Sequence, residues 1–280
     1  MKKHIFTALI VLIFLVGASV LLYPLVSDYV NARNQSRVVQ DYFSGLERLN
    51  QKDFSDLFSA AHEYNRALPG KPDRFDFTDD SMEEYLNLLN PNGNRVMGTL
   101  EISLIDVHLP IYHGTDEAVL QIGAGHLEGS SLPVGGLGTH TVVTAHRGLP
   151  SSTLLTNLDR VQTGDTFMLH ILNETLTYRA DQILVVEPED VGALAIEPDK
   201  DYCTLVTCTP YGINSHRMLV RGYRIENAEV EPDEQTAANS EETRADNILT
   251  ILIILSPVLI ILVTFLFIRY IKIYGRRNKR

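Results

Sequence analysis

The sequence predicts a mainly β protein, a barrel or sandwich preceded by helices and flanked by two transmembrane helices. Three observations support this prediction. Short β-type runs separated mostly by turn signals follow residue 98. Apolar residues recur at helical spacing between positions 34 and 68. An uncharged apolar run lies near each end of the chain, at 5–26 and at 248–268.

The first apolar run, 5–26, is long enough to cross a hydrocarbon layer of ~30 Å as a helix. A cleaved signal peptide would have a shorter apolar region, of ~7–15 residues, ending at a small-residue cleavage site. Gly17-Ala18-Ser19 resembles such a site, but apolar residues continue beyond it. We therefore predict an uncleaved span preceded by a short cytoplasmic segment, 1–4.

The second run, 248–268, has no charge and is followed by a tail, 269–280, that carries six Lys and Arg residues. A basic flank of this density is typical of the cytoplasmic side of a membrane. An even number of spans agrees with it. The sequence thus predicts a cell-membrane protein with both termini in the cytoplasm and residues from about 28 to 247 outside the cell.

The outward-facing part is strongly acidic. Between positions 34 and 246 there are 15 Lys and Arg and 34 Asp and Glu residues, a net charge of −19. Nucleic acid is excluded as a partner, because its phosphates require a basic surface. Tight binding to an anionic lipid or an anionic cell-wall polymer by charge alone is also disfavoured, because the net negative charge of this part would repel them.

The segment 27–97 reads as a helical extension. Its first helix covers 34–68, in one or two pieces, and Pro69-Gly70 ends it. A shorter helix is predicted over 81–89, because Ser81 and Glu84 have capping-box spacing.

From residue 98 the apolar residues alternate with period two, which indicates strands. This region, 98–226, is the predicted barrel, and an acidic linker, 227–247, connects it to the second span. Beyond the first alternation, at 100–109, the short apolar runs are 118–122, 139–144, 166–172, 175–183, 203–207 and 218–225.

The two cysteines, Cys203 and Cys208, lie on one predicted strand. At ~3.3 Å per residue they are roughly 16 Å apart, and their odd spacing puts them on opposite faces. A disulfide needs Cα atoms within ~7 Å, so both are predicted to be free thiols. Cys208 ends the strand and precedes a turn, where a nucleophile is accessible. Cys203 fits a buried small hydrophobe better, and that interpretation is also open for Cys208.

Two further residues could assist a thiol. His146 lies where a strand gives way to a loop containing Gly and Pro, although His140 and His216 are also near the predicted strands. Arg217 begins the strand after the Cys208 turn, where a guanidinium could hydrogen-bond a developing oxyanion. Taken singly, each is equally compatible with a structural or surface role.

Together these residues carry a resemblance to a known family. Thr204-Leu205-Val206-Thr207-Cys208 resembles the Thr-Leu-x-Thr-Cys signature of sortases, with His146 and Arg217 at the positions of the family histidine and arginine. Longer strings resemble class C sortases, which assemble pili; they are Gly125-His126-Leu127-Glu128-Gly129, Ala145-His146-Arg147-Gly148-Leu149-Pro150 and Thr209-Pro210-Tyr211-Gly212-Ile213-Asn214.

The resemblance implies a sortase-type closed β-barrel and a cysteine transpeptidase with Cys208, His146 and Arg217 as catalytic residues. It implies cleavage of a Leu-Pro-x-Thr-Gly-like sorting signal between Thr and Gly and transfer to a pilin lysine, so the partners are pilin subunits. No metal or organic cofactor is expected.

The sequence departs from the class C pattern in one respect. Many class C sortases have an Asp-Pro-aromatic lid, whereas this sequence has no Asp-Pro pair; Lys71-Pro72-Asp73-Arg74-Phe75 stands in that region.

Other functions stay open on the residues alone. A cell-wall-anchoring sortase would use the same chemistry with a cell-wall peptide amine as acceptor. An extracellular thiol peptidase of papain type is another alternative, although there the cysteine usually precedes the histidine. A non-enzymatic scaffold that binds pilins would require no reactive thiol.

Overall fold

The computed structural model describes residues 2–71, 74–76 and 78–227. The second predicted span, the basic tail and nearly all of the acidic linker therefore lie outside the described residues. The N-terminal helix α1 runs over Lys2–Leu46 and includes one segment, Leu9–Leu46, that is long and apolar enough to cross a membrane. A membrane anchor and a signal sequence would both have this character.

The helical extension forms two further helices, α2 (Gln51–Ala67) and α3 (Asp79–Asn87). The break between α1 and α2 confirms the two-piece alternative, and α2 ends before Pro69-Gly70 as predicted. The predicted start of α3 was wrong. Thr78 is the N-cap and forms the capping box with Ser81, so the helix begins two residues earlier than the Ser81–Glu84 spacing suggested.

Residues 96–225 form a closed eight-stranded barrel, which confirms the predicted mainly β fold. The order around it is β1-β2-β3-β4-β7-β8-β6-β5, and β5 pairs with β1 to close it. The β2–β3 and β4–β7 pairs are parallel, and the other six are antiparallel. The strands are β1 (Val96–Ile102), β2 (Val107–His113), β3 (Ala124–His126), β4 (Thr139–Thr144), β5 (Thr166–Ile171), β6 (Glu174–Val186), β7 (Asp201–Thr209) and β8 (His216–Ile225).

Two predicted strand segments have a different structure. Residues 118–120 of the run 118–122 belong to a short helix, α4 (Glu117–Leu120). The carbonyl of its N-cap, Asp116, accepts hydrogen bonds from the amides of Val119 and Leu120. The alternation through Leu104 is interrupted by a 3₁₀ turn at Ser103–Ile105. A short apolar run does not distinguish a strand from a single helical turn, because the periods of 2 and 3.6 residues differ visibly only over a longer segment.

The helical extension packs on the barrel through buried tyrosine and asparagine side chains. The Tyr42 hydroxyl donates to the Met97 carbonyl at 3.0 Å and accepts from the Leu172 amide at 2.8 Å. Asn65 makes a reciprocal pair with the backbone of Leu132. These bonds satisfy polar groups that burial would otherwise leave unpaired, and they fix α2 and the part of α1 around Tyr42 against the barrel.

Two buried histidines make stability depend on pH. Burial lowers the pKa of His126 and of His140 to about 4, from an ordinary value near 6.5. Between pH 6.5 and 4 the unfolded chain therefore binds more protons than the folded chain, so stability falls as pH falls through this window. Each histidine is expected to remove about 2 kcal/mol from the free energy of unfolding between pH 7 and pH 5.

Urea unfolding at pH 7, 6 and 5 measures this effect. The His140→Asn variant is expected to lose less stability between pH 7 and pH 5 than the wild type, whatever its stability at pH 7. The exposed His62→Asn variant serves as the control and should keep the wild-type pH dependence. An unchanged slope in His140→Asn would contradict the assignment of the pH dependence to that buried imidazole.

Candidate active site

Cys208 lies one residue before the end of β7, directly opposite Arg217 on β8. Residues directly opposite in an antiparallel pair share one face of the sheet, with Cβ atoms about 4.5–5.5 Å apart. The turn between the strands is closed by amides of Ile213 and Asn214 that donate to the Pro210 carbonyl. The predicted neighbourhood of this thiol and this guanidinium is therefore confirmed.

The two thiols differ in accessibility, and both are free, as predicted. Cys203 is completely buried, and its burial raises the pKa of the thiol well above the ordinary value. Cys208 is partly exposed at the end of its strand. A thiol reacts as its thiolate, so the buried Cys203 is inert and Cys208 is the more accessible of the two thiols.

His146 approaches Cys208 from the other side of β7. Strand β4 runs parallel to β7, with Thr144 opposite Val206. Two residues further along, the segment after β4 reaches His146 and β7 reaches Cys208. The amide of Ala145 donates to the Val206 carbonyl at 3.2 Å, and the Thr207 hydroxyl donates to the Ala145 carbonyl at 2.9 Å. These bonds extend the pairing beyond β4, so Cys208 lies between His146 and Arg217.

The imidazole of His146 has a carboxylate partner. Its Nε2 lies 3.2 Å from Oε2 of Glu117, on α4. Hydrogen bonds from Gln121 and then from His146 lower the pKa of the Glu117 carboxyl. Glu117 orients the ring but is 68% exposed, so solvent and salt screen its charge. The sequence interpretation missed Glu117 because α4 was taken for a strand; its i,i+4 spacing from Gln121 was the available signal.

Arg217 is held at its tip by the adjoining turn. Its Nη1 donates to the carbonyls of Asn214 at 3.3 Å and of His216 at 3.2 Å. The remaining guanidinium donors are available to an incoming group, since Arg carries five N–H donors in a fixed plane. His216 itself is 3.2 Å from Glu187 through Nε2 and 2.8 Å from the Ser215 hydroxyl through Nδ1.

His140 has a structural position. Its Nδ1 lies 2.8 Å from the Ala195 carbonyl and its Nε2 lies 2.7 Å from the Thr204 hydroxyl. With the lowered pKa described above, the ring is neutral near pH 7, donating to the carbonyl and accepting from the hydroxyl. Both ring nitrogens are occupied within the barrel wall, so His140 has no free nitrogen for proton transfer.

A cavity of about 270 Å³ adjoins Arg217. Most of its lining is aliphatic, and Thr115, Thr144 and Asp190 add polar groups. The apolar lining residues are Leu120, Leu127, Val142, Val186, Pro188, Val191, Leu194, Val206 and Leu219. An apolar groove beside a thiol, an imidazole and a fixed guanidinium suits acyl transfer from a peptide whose apolar side chains fill the groove.

Comparisons with known proteins identify the family to which this fold is similar. A family model described as "Sortase domain" matches residues 100–225. The crystal structure of sortase C1 from Streptococcus agalactiae is 45% identical, with a TM-score of 0.66, and the alignment covers 68% of this chain and 99% of that one. The sortase C of Streptococcus pneumoniae, described in relation to pilin substrate specificity, is 42% identical with a TM-score of 0.61, covering 68% and 97%. Sortase D of Bacillus subtilis is 27% identical over 160 residues, 55% of this chain and 78% of that protein.

Proposed function

This chain belongs to the sortase family of cysteine transpeptidases, and we propose that it acts as a class C enzyme that polymerises pilins. The proposed donor is a Leu-Pro-x-Thr-Gly-like sorting signal, and the proposed acceptor is a lysine amine of the next pilin. The observation that carries the proposal is the placement of Cys208 between His146 and Arg217, beside an apolar groove. Structural neighbours that include class C sortases of pilus systems support the choice of acceptor.

In the proposed acylation step, the Cys208 thiolate attacks the Thr carbonyl carbon of the sorting signal. The carbonyl electrons move to oxygen, and the Arg217 guanidinium stabilises the oxyanion by hydrogen bonding. The C–N bond to Gly then breaks, and the leaving amine takes a proton from the His146 imidazolium. The product is a thioester between Thr and Cys208 and a free amino terminus on the Gly fragment.

In the proposed transfer step, the acceptor amine attacks the thioester carbonyl and gives a proton to the now neutral His146. Collapse of the second tetrahedral intermediate breaks the C–S bond and regenerates the Cys208 thiolate. An isopeptide bond forms, and atoms and charges balance without an oxidant or reductant. The thiolate and the imidazolium are restored together, so the enzyme is ready for another cycle.

The proposed topology follows the family and the sequence. Helix α1 supplies the N-terminal membrane anchor, and 248–268 supplies a second one, with the barrel outside the cell and both termini in the cytoplasm. The domains proposed are 1–4, 5–26, 27–97, 98–226, 227–247, 248–268 and 269–280, as described from the sequence. Two anchors would keep the thiol close to membrane-attached pilin precursors.

The test is product analysis with the full-length chain in detergent micelles. The chain is incubated with a Leu-Pro-x-Thr-Gly peptide, with and without a pilin that offers a lysine, and the products are identified by mass spectrometry. We expect a thioester adduct on the protein and an isopeptide product that requires the pilin. Transfer to a cell-wall peptide amine but not to pilin would favour the anchoring alternative, and cleavage without any transfer would favour a peptidase.

A further inference from the structure

The walls of the cavity include two segments that are far apart in sequence. Leu127 follows β3, and Leu194 ends a 3₁₀ turn, Gly192–Leu194, between β6 and β7. Both leucines line the cavity and belong to one cluster of packed apolar side chains with Val142. A change in the separation between these two segments would therefore change the shape of the cavity.

Arg74 joins these two segments. Its Nη1 donates to the Gly129 carbonyl at 2.7 Å, and its Nη2 donates to the Leu194 carbonyl at 2.9 Å. Leu194 lines the cavity, and Gly129 lies two residues after Leu127, which also lines it, so Arg74 bonds to both of the segments that supply these leucines. The guanidinium carbon also lies 4.2 Å from the centre of the Phe75 ring, which holds the side chain in place.

The backbone at Gly129 is shaped to admit residue 74. A Cβ atom at Gly129 would lie 2.0 Å from the Arg74 carbonyl oxygen, closer than any side chain tolerates. Residue 129 also has φ of +80°, a conformation that favours glycine. The guanidinium is half-buried, and burial lowers the pKa of Arg74. Removing a cation from water is unfavourable unless it gains hydrogen bonds in the protein. The two bonds to backbone carbonyls offset that loss, so the contact is specific.

From these contacts, and resting on the proposed function, we propose that Arg74 is a positioning residue for the substrate groove. By bonding to Gly129 and to Leu194, its side chain connects the segment 127–129 to the segment 192–194. It thereby fixes the spacing of the walls that receive the apolar residues of the sorting signal. His140 holds the next carbonyl, that of Ala195, from inside the barrel. Arg74 therefore holds the carbonyl of Leu194 from outside the barrel, and His140 holds that of Ala195 from inside it.

The test compares Arg74→Met, Arg74→Lys and the control Lys71→Met in the full-length chain. Met keeps the apolar stem but removes both bonds, whereas Lys keeps the charge but replaces two terminal nitrogens by one. Lys71 is an exposed cation three residues earlier in the same stretch. We expect Arg74→Met to raise KM for the Leu-Pro-x-Thr-Gly peptide about tenfold with kcat within about twofold, Lys to have an intermediate effect, and Lys71→Met to have none.

The KM-against-kcat split separates positioning from loss of folded protein, which would lower the apparent kcat instead. The Kd of the peptide, measured by fluorescence anisotropy in the Cys208→Ala background, is expected to rise by the same factor. An unchanged KM and Kd would overturn the proposal. A higher kcat/KM in Arg74→Met would also overturn it, because it would show that the 74–76 segment obstructs the groove.

A glycine pair gives an independent arm. Gly129→Ala and Gly70→Ala both place a side chain at positive φ, but only the former meets the Arg74 backbone, since nothing lies within 4 Å of a Cβ at Gly70. We expect only Gly129→Ala to reproduce the Arg74→Met effect on KM; equal effects of the two glycine variants would count against the tie.

Hydrogen exchange makes failure of this inference distinguishable from failure of the proposed function. In Arg74→Met, the amides of residues 192–196 are expected to exchange faster than in the wild type, whether or not any peptide is processed. Unchanged exchange there would overturn the tie itself. A wild-type chain that processes no sorting signal, but shows the expected exchange, would refute the proposed function and leave Arg74 as a structural tie.

Discussion

Cys208→Ala is expected to abolish both thioester formation and transfer, whereas Cys203→Ala is expected to retain transfer within about threefold of the wild type. The difference follows from position, because Cys208 is partly exposed at the end of β7 and Cys203 is buried within the barrel. Covalent catalysis has no substitute when the nucleophile is removed, and the loss is typically many orders of magnitude in kcat.

The measurement is product formation per folded protein, with thioester trapping by mass spectrometry. Cys203→Ala is the matched control because it removes one thiol from the same strand. It leaves a small void that costs about 1 kcal/mol of folding free energy without touching the site. Iodoacetamide should modify Cys208 in the folded wild type and leave Cys203 unmodified. Wild-type turnover by Cys208→Ala would refute the assignment of the nucleophile.

The local part of this site could be predicted from the sequence. The β-branched run before Cys208 and the turn after it determine where a strand ends, and the next strand brings Arg217 back beside the thiol. A hairpin needs only neighbouring segments, so its pairing can be inferred from one stretch of sequence. The free state of both thiols followed from strand geometry in the same way.

The non-local part could not be predicted in the same way. Nothing in the residues of β4 specifies that it runs parallel to β7, a pairing that places His146 on the far side of Cys208. Glu117 was missed because one helical turn is too short to show its period. The contacts of Arg74 were missed because their acceptors are backbone carbonyls, and every residue has one.

The segment 71–76 shows the same contrast between what the sequence predicts and what only the fold reveals. The sequence has no Asp-Pro pair from which to assign a role to this segment, whereas in the structure its Arg74 donates to the backbone carbonyls of Gly129 and Leu194. A motif search depends on side-chain identities. The hydrogen bonds from Arg74 to backbone carbonyls depend instead on where the loops lie after folding. The barrel must therefore be known before Arg74 can be given a role.

Arg217→Lys is expected to lower kcat about 100-fold or more, with a smaller change in KM. The positive charge stays, but a lysine ammonium cannot reproduce a planar fork of donors. In the structure, Nη1 of Arg217 donates to the carbonyls of Asn214 and His216, so the guanidinium is fixed in orientation before substrate arrives. Losing a preorganised donor to an oxyanion typically costs about 10²–10³ in kcat.

The matched control is Arg221→Lys, on the same strand. Arg221 makes two bonds to the Asp181 carboxylate, at 3.1 and 2.7 Å, and lies four residues from Arg217. Losing the two-bond geometry of this part-buried pair should lower stability and leave kcat within about twofold, because the pair does not act on the reacting carbonyl. Single-turnover kinetics and thermal unfolding of both variants measure the contrast. A large rise in KM at constant kcat in Arg217→Lys would show that the guanidinium binds the ground state, since an oxyanion donor acts on the transition state alone.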